Sequence, residues 1–205
     1  MSYINRNRAR QTGTNRATQA EISNGFWLSF PGRVIGTPYR RGGFGYLRRT
    51  VRGWNAAARG VPFVLLTDLD TRRCPAELIN EWLGVPKHHN LLFRVAVREV
   101  ESWLLADSAG LSTFLGVGRN LVPSDPDLLP DPKLTLINLA RRSRQRMIRE
   151  SIVPPRGSTA KQGRDYNGCL CGFVRNHWDL DTAMAGSPSL NRTVNRLSNF
   201  APVWQ

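Results

Sequence analysis

The chain has 205 residues, a formal net charge of +14 at pH 7, 40% hydrophobic residues and six tryptophans, which suits one domain with a hydrophobic core and appendages. No segment is apolar enough to span a bilayer or act as a secretory signal, and the three cysteines lack the spacing of a disulfide framework or a zinc site. We therefore expect a cytoplasmic protein with free thiols and no membrane partner.

The charge is unevenly distributed along the chain. Residues 1–67 have a balance of +10, residues 68–132 a balance of −4, and residues 133–205 a balance of +8. Basic regions neutralise phosphates, whereas an acidic centre can hold a metal ion. The distribution favours nucleic acid as a partner, although a basic protein with a solvated surface could carry the same charge.

The first forty residues carry few strong signals of regular structure. Residues 1–25 are rich in Arg, Asn and Thr with almost no apolar periodicity, which predicts a disordered basic arm. A short strand is expected at residues 33–36, followed by a glycine-rich segment that begins with Arg40 and Arg41. That segment could bring backbone close to a phosphate, but it lacks the spacing of a P-loop, so a surface loop is an equal interpretation.

The most informative segment is the apolar run at residues 61–67, which is followed by Asp68 and Asp70. Such a run predicts a buried strand, and side chains two residues apart on a strand point the same way. In open α/β sheets, ligands bind at the carboxyl ends of strands. Two carboxylates there repel each other unless a cation lies between them, and oxygen ligands suit Mg²⁺ or Mn²⁺. The alternative is that the aspartates only cap the next helix.

A second acidic cluster, Glu99 and Glu101, follows the next predicted strand at residues 90–97. If the chain is extended there, both side chains share a face, whereas in a helix they lie about 200° apart and only one can face Asp68. We prefer Glu101, because Glu99 on a helix would share a face with Trp103, nearer the packed side.

The remaining predicted elements are mostly helical. Trp103 is expected in the core, and Asp107 is expected at the surface. The predicted helices cover residues 47–59, 75–83, 99–115 with a break at Gly110, 132–146, 167–177 and 187–200.

The order of elements predicts an α/β fold, with a small, largely parallel sheet flanked by helices and a helical C-terminal extension. The expected organisation is a basic arm at residues 1–25, an α/β domain at residues 26–130 and a helical region at residues 131–205. Seven arginines are expected to contact nucleic acid: Arg40, Arg41, Arg72, Arg73, Arg98, Arg142 and Arg146.

The two acidic segments together resemble a known superfamily. Thr67-Asp68-Leu69-Asp70 after an apolar strand, followed by R-V-A-V-R-E-V-E-S-W-L-L-A-D at residues 94–107, is similar to an uncharacterised bacterial family of the TOPRIM superfamily. That superfamily includes the overcoming-lysogenization-defect (OLD) nucleases. The resemblance covers residues 33–200 and is strongest at residues 61–107.

The resemblance implies a TOPRIM-like α/β fold that binds Mg²⁺, or Mn²⁺, through Asp68 and Asp70 and acts on phosphodiester bonds. Glu101, or Glu99 in its place, would complete or orient the metal shell and serve in catalysis. The metal would polarise the phosphate and lower the pKa of an attacking water. The expected function is therefore that of a nuclease on DNA or RNA, with or without a partner ATPase.

One feature departs from the TOPRIM pattern. These domains begin with a strand that ends in a glutamate, whereas the only acidic residue before Asp68 is Glu21, with no apolar strand before it. We therefore expect a missing or altered first βα unit, an uncovered sheet edge and impaired catalysis.

Two other functions fit parts of the pattern. A non-catalytic basic module that binds nucleic acid or a partner would need no metal site. A nucleotide-sugar glycosyltransferase would use the Asp-x-Asp motif to hold Mn²⁺ against a diphosphate, but the basic flanks and the second acidic cluster argue against it.

Overall fold

Helices flank a small pair of parallel strands, so the chain is a mixed α/β protein. The structure is a computed structural model that describes residues 3–6, 18–22, 26–30, 38–40 and 43–204, the first four ranges as backbone strands only. The described chain divides into two units. The sheet unit holds the described residues up to Ala96, except Phe26, and those from Arg192 onward. The helical unit holds Phe26 and Val97–Asn191.

The strands among the described residues form two sheets. They are β1 (Tyr3–Arg6), β2 (Thr18–Ile22), β3 (Phe26–Phe30), β4 (Pro38–Arg40), β5 (Phe63–Asp68) and β6 (Leu91–Ala96). One sheet has the order β4-β1-β5-β6, and the other pairs β2 with β3. β5 and β6 run parallel, whereas β1 is antiparallel to both β4 and β5. The predicted parallel sheet is confirmed for the β5–β6 pair, and the strands from the start of the chain add an antiparallel part.

Two of these strands lie in the stretch that was predicted to be a disordered arm. β1 pairs with β5 along its whole length and so covers the sheet edge that was expected to stay open. Glu21 lies within β2, outside the four-stranded sheet. The rest of the predicted arm and the strand expected at residues 33–36 lie outside the described residues.

The helices are distributed over both units. They are α1 (Gly43–Ala57), α2 (Pro75–Leu83), α3 (Val100–Ala106), α4 (Ser108–Leu115), α5 (Pro132–Arg141), α6 (Arg146–Ile152), α7 (Tyr166–Asn176), α8 (Leu180–Gly186) and α9 (Pro188–Ser198). The predicted helices are found, but the one expected at residues 132–146 ends at Arg141, and α6 and α8 were not predicted. Among the helices described, none has the length and apolar character needed to cross a membrane.

Aromatic rings hold β5 and β6 against α1 and α2. The Phe63 ring on β5 lies 5.1 Å from that of Trp54 on α1, measured between ring centroids. The Phe93 ring on β6 lies 5.7 Å from Trp82 on α2. Trp82 in turn meets Phe44 edge-on at 4.7 Å. These rings form the core on one face of the parallel pair.

The glycine-rich segment that was predicted as a loop is partly helical. α1 begins at Gly43, whose φ of +62° glycine adopts without steric cost, and continues through Phe44. The early start follows from the packing of Phe44 on Trp82, a contact that the local sequence does not specify. Arg40 lies in β4, where only the backbone is described, and Arg41 lies outside the described residues.

The helical unit is built around α3, which contacts α4, α5 and α8. Trp103 on α3 is 2% exposed, as expected for a core residue. Its Nε1 donates to Ser189 Oγ at 2.7 Å, and its carbonyl oxygen accepts from Trp178 Nε1 at 3.1 Å. Because α5 packs on α3, the units divide after Ala96, whereas the predicted domain boundary was at residue 130.

Asp107 was predicted at the surface, but it is only 1% exposed. It separates α3 from α4 as the N-cap of α4, so the break lies there and not at Gly110. Asp107 Oδ1 accepts from the Gly110 N–H at 2.9 Å, and Oδ2 accepts from the Asp179 N–H at 2.9 Å. The two hydrogen bonds compensate for the burial of the carboxylate.

We expect Asp107→Ala to lower the free energy of unfolding by about 2–4 kcal/mol, because it removes a helix cap and a second charge-assisted hydrogen bond. Urea unfolding measured by tryptophan fluorescence checks this value. Asp125→Ala is the control, since Asp125 is exposed and its carboxylate accepts only from Ser124 Oγ among the described contacts. Equal stability of the two variants would contradict a capping role for Asp107.

Candidate functional site

Asp68 is the last residue of β5 and pairs in register with Ala96, the last residue of β6. The parallel arrangement therefore places the carboxyl ends of both strands at one sheet edge, where ligands bind in α/β proteins. The Leu69 N–H donates to the Ala96 carbonyl at 2.9 Å, so backbone pairing continues one residue beyond the strand. Asp68 is half-buried at this fixed position.

Asp70 lies beyond the strand and not on it. Its φ is +51°, and it is the only non-glycine residue with a positive φ among those described. Aspartate tolerates this left-handed conformation better than most residues, because its short side chain can bond locally. The predicted strand geometry, with side chains two residues apart pointing the same way, therefore does not extend to Asp70. Non-glycine residues in this conformation concentrate at functional sites.

The described residues contain no group of three or more His, Cys, Asp or Glu side chains arranged to hold a metal ion. The predicted set of Asp68, Asp70 and Glu101 is thus not found as one group. Asp68 and Asp70 nevertheless offer only oxygen donors. Mg²⁺ is typically bound by one or two carboxylates, with its other positions taken by water and substrate phosphates. The two aspartates therefore fit Mg²⁺ or Mn²⁺ by their donor chemistry, without a third protein ligand.

Glu101 belongs to the helical unit and lies in the first turn of α3. Its Oε1 accepts a hydrogen bond from the Tyr166 hydroxyl at 2.9 Å, and Lys133 Nζ lies 3.8 Å from the same oxygen. Lys133 Nζ also lies 4.8 Å from the centre of the Tyr166 ring. The three side chains form a cluster, which we call the Glu101 cluster, and the Glu101 side chain is only 14% exposed within it.

Tyr166 is the buried member of the Glu101 cluster, with 1% of its surface exposed. Burial, and next the negative charge of Glu101, raise the pKa of Tyr166 far above its usual value. The hydroxyl therefore stays protonated and donates to Glu101. Sequence analysis missed both Tyr166 and Lys133, because Tyr166 contacts a residue 65 positions away and no local pattern marks that contact.

Glu99 immediately precedes α3, in an extended conformation. Its Oε2 accepts from the backbone N–H of Lys133 at 2.9 Å. Lys133 is the second residue of α5, so this carboxylate lies at a helix N-terminus, where unsatisfied N–H groups and the helix dipole favour negative charge. Glu99 and Glu101 thus both stabilise the helical unit, and a catalytic role for either stays a prediction.

The structure describes six of the seven arginines that were predicted to bind nucleic acid, all but Arg41, and they are divided between the two units. Arg72 forms an ion pair with Glu81 in the sheet unit, and Arg146 pairs with Glu150 at 2.7 Å in the helical unit. Of the others whose side chains are described, Arg73 and Arg142 are exposed and Arg98 is half-buried. The predicted set is therefore not one described surface, and two of its members are already engaged with carboxylates.

The TOPRIM resemblance is carried by the residues at positions 61–107 and has no independent support from known proteins. A scan against protein-family models, a search of curated proteins and a search of solved structures found no match.

Proposed function

We propose that this chain is a Mg²⁺-dependent enzyme that acts on phosphodiester bonds, a TOPRIM-like nuclease of DNA or RNA with Asp68 and Asp70 as its metal ligands. The observation that carries the proposal is the end of the β5–β6 pair. There Asp68 is fixed beside Ala96, and Asp70 follows in a left-handed turn. A buried parallel strand thus brings two oxygen donors to the sheet edge at which ligands bind.

The roles of the two aspartates follow from their positions. Asp68 ends a strand and pairs in register with Ala96 on β6, so its backbone is held in place before any ligand binds. Asp70 is exposed, which leaves it accessible to solvent and substrate. When bound, Mg²⁺ would polarise a phosphate and lower the pKa of an attacking water. The net charge of +14 would raise the local concentration of a polyanionic substrate.

The proposal requires neither Glu99 nor Glu101 as a metal ligand. Both carboxylates accept hydrogen bonds from other residues of the helical unit, and these bonds stabilise that unit. The predicted catalytic role of these glutamates can be tested separately, since Glu101→Gln keeps the size of the side chain while removing its negative charge.

Cleavage assays test the proposed reaction. Plasmid and labelled single- and double-stranded DNA and RNA are incubated with Mg²⁺, with Mn²⁺ or with EDTA. We expect metal-dependent cleavage that Asp68→Asn or Asp70→Asn lowers by about 100-fold or more, because the neutral amide is a much weaker ligand for Mg²⁺.

The matched control for the cleavage assay is Asp125→Asn, an exposed carboxylate elsewhere in the chain. It should cleave like the wild type. Cleavage that survives both substitutions at Asp68 and Asp70, or no cleavage of any of these substrates, would contradict the proposal.

A second function, a non-catalytic basic module that binds nucleic acid, is favoured by one observation. The residues of the second acidic cluster are engaged in contacts within the helical unit. This function predicts nucleic-acid binding that is independent of metal and unchanged in Asp68→Asn. The nuclease proposal instead predicts that Mg²⁺ strengthens binding of the wild type more than binding of the variant.

A further inference from the structure

Four basic side chains of the sheet unit lie close together: Lys87, Arg94, Arg192 and Arg196, which we call the basic cluster. Lys87 precedes β6, Arg94 lies on β6, and the other two lie four residues apart on α9. Residues four apart are neighbours on one helix face. Arg94 Nη2 donates to the backbone carbonyl of Arg192 at 3.4 Å, which joins the strand to the helix.

Arg94 of the basic cluster lies on the sheet face opposite the aromatic core. Phe93 packs on Trp82, and neighbouring residues of a strand point to opposite faces, so Arg94 points away from α2. In the register of β5 and β6, Asp68 pairs with Ala96, two residues beyond Arg94 on the same face. Arg94 and Asp68 therefore share one face of the parallel pair.

No carboxylate among the described residues forms an ion pair with any member of the basic cluster. Arg94 Nε is buried and has no hydrogen-bond partner in the described part of the chain. Desolvation, followed by the charge of Arg196, lowers the pKa of both Lys87 and Arg94. Positive charges gathered without an opposite charge repel one another, and a bound anion would relieve that repulsion.

We propose that the basic cluster binds phosphate groups of a nucleic-acid backbone. Guanidinium groups match phosphate oxygens in geometry and form charge-assisted hydrogen bonds with them. Four cations spread over a loop, a strand and a helix suit a chain of phosphates better than one small anion, and the net charge of +14 favours a polyanion. None of the four residues belongs to the predicted set of seven arginines. The inference needs neither metal nor cleavage, so it holds even if the nuclease proposal fails.

Fluorescence anisotropy with labelled DNA and RNA oligonucleotides tests the inference, in EDTA and over a range of salt concentrations. The variant Arg192→Gln/Arg196→Gln removes two charges from the basic cluster and leaves the buried part of Arg94 intact. We expect about tenfold weaker binding or more, and a salt dependence reduced by about two ion equivalents, since each phosphate contact contributes about 0.9 to the slope.

The control Arg49→Gln/Arg59→Gln removes the same charge from exposed positions of the sheet unit. It should weaken binding by less than about threefold, because it changes net charge but no phosphate contact. Circular dichroism verifies that both variants fold. Equal losses in the two variants, or no loss in either, would overturn the inference.

Calorimetry with inorganic phosphate separates a polynucleotide site from a site for a free anion. At ligand concentrations at which the oligonucleotide saturates the protein, we expect inorganic phosphate to show no saturable binding. Tight phosphate binding that Arg192→Gln/Arg196→Gln abolishes, with oligonucleotide binding unchanged, would overturn the assignment to a nucleic-acid backbone.

Discussion

Replacing Glu101 with alanine is expected to lower the free energy of unfolding by about 2–4 kcal/mol, because it leaves the buried Tyr166 hydroxyl without an acceptor. The hydroxyl donates to Glu101 at 2.9 Å. Because the pKa of Tyr166 is raised, the hydroxyl cannot compensate for the lost acceptor by giving up its proton. Loss of the ion pair between Lys133 and Glu101 contributes less to this destabilisation, since the Lys133 side chain is 33% exposed and its charge is screened by solvent.

A double-mutant cycle with Tyr166→Phe measures the contact directly. Tyr166→Phe removes the hydroxyl, so Glu101→Ala should cost less in that background, with a coupling energy of about 1–2 kcal/mol. Urea unfolding supplies the four free energies. Additive effects of the two substitutions would contradict the Glu101 cluster as the structure describes it.

Replacing Trp103 with alanine is expected to cost about 3–5 kcal/mol, the range for removing a large aromatic side chain from a core. Trp103 is 2% exposed and donates to Ser189 Oγ at 2.7 Å, so the substitution opens a cavity and removes a buried hydrogen bond. The thermal midpoint and the urea midpoint of the variant both check this value.

Trp103→Phe is the matched variant for the hydrogen bond. It keeps an aromatic ring in the core and should cost about 1–3 kcal/mol, less than the alanine variant. An alternative role for Trp103, the stacking of a nucleic-acid base, predicts the opposite pattern. In that case Trp103→Ala would weaken oligonucleotide binding while leaving stability unchanged, which would contradict a core position.

The sequence predicts the strands and helices that are marked by apolar runs or by capping residues within the element itself. The apolar run before Asp68 predicted β5, and the strand predicted at residues 90–97 is found as β6. α2 begins at Pro75, because proline suits the first helical turn. It ends before Gly84, because glycine adopts the left-handed cap conformation at a φ of +62°. Asp131 caps α5 by accepting from the Leu134 N–H at 2.7 Å, and Pro132 follows at the first helical position, so the start signal of this helix is local.

The parts that the sequence did not predict depend on contacts between distant residues. The burial of the Asp107 carboxylate is compensated in part by a hydrogen bond from the N–H of Asp179, which is 72 residues away. Glu101 has its partner in Tyr166, and the basic cluster joins Arg94 to Arg192, which is 98 residues away. No periodicity or cap signal marks such pairs, because they exist only after the elements pack.

The candidate site was likewise predictable only where a local pattern marks it. The position of Asp68 follows from the strand, which a local pattern shows, whereas the left-handed turn at Asp70 is a property of the backbone after the strand ends. The spacing of the second acidic cluster predicts that it contributes to a metal site, and that role stays a prediction. The contacts of its carboxylates with the start of α5 and with the Tyr166 hydroxyl are seen only in the packed structure.

The central claim is that Asp68 and Asp70 hold a divalent cation, and calorimetric titration with Mg²⁺ and Mn²⁺ tests it most directly. The wild type and Asp125→Asn should bind the metal at one site, and Asp68→Asn/Asp70→Asn should not bind it. Circular dichroism of the double variant verifies that the fold is intact. The absence of metal binding by the wild type, or equal binding by the double variant, would contradict the claim.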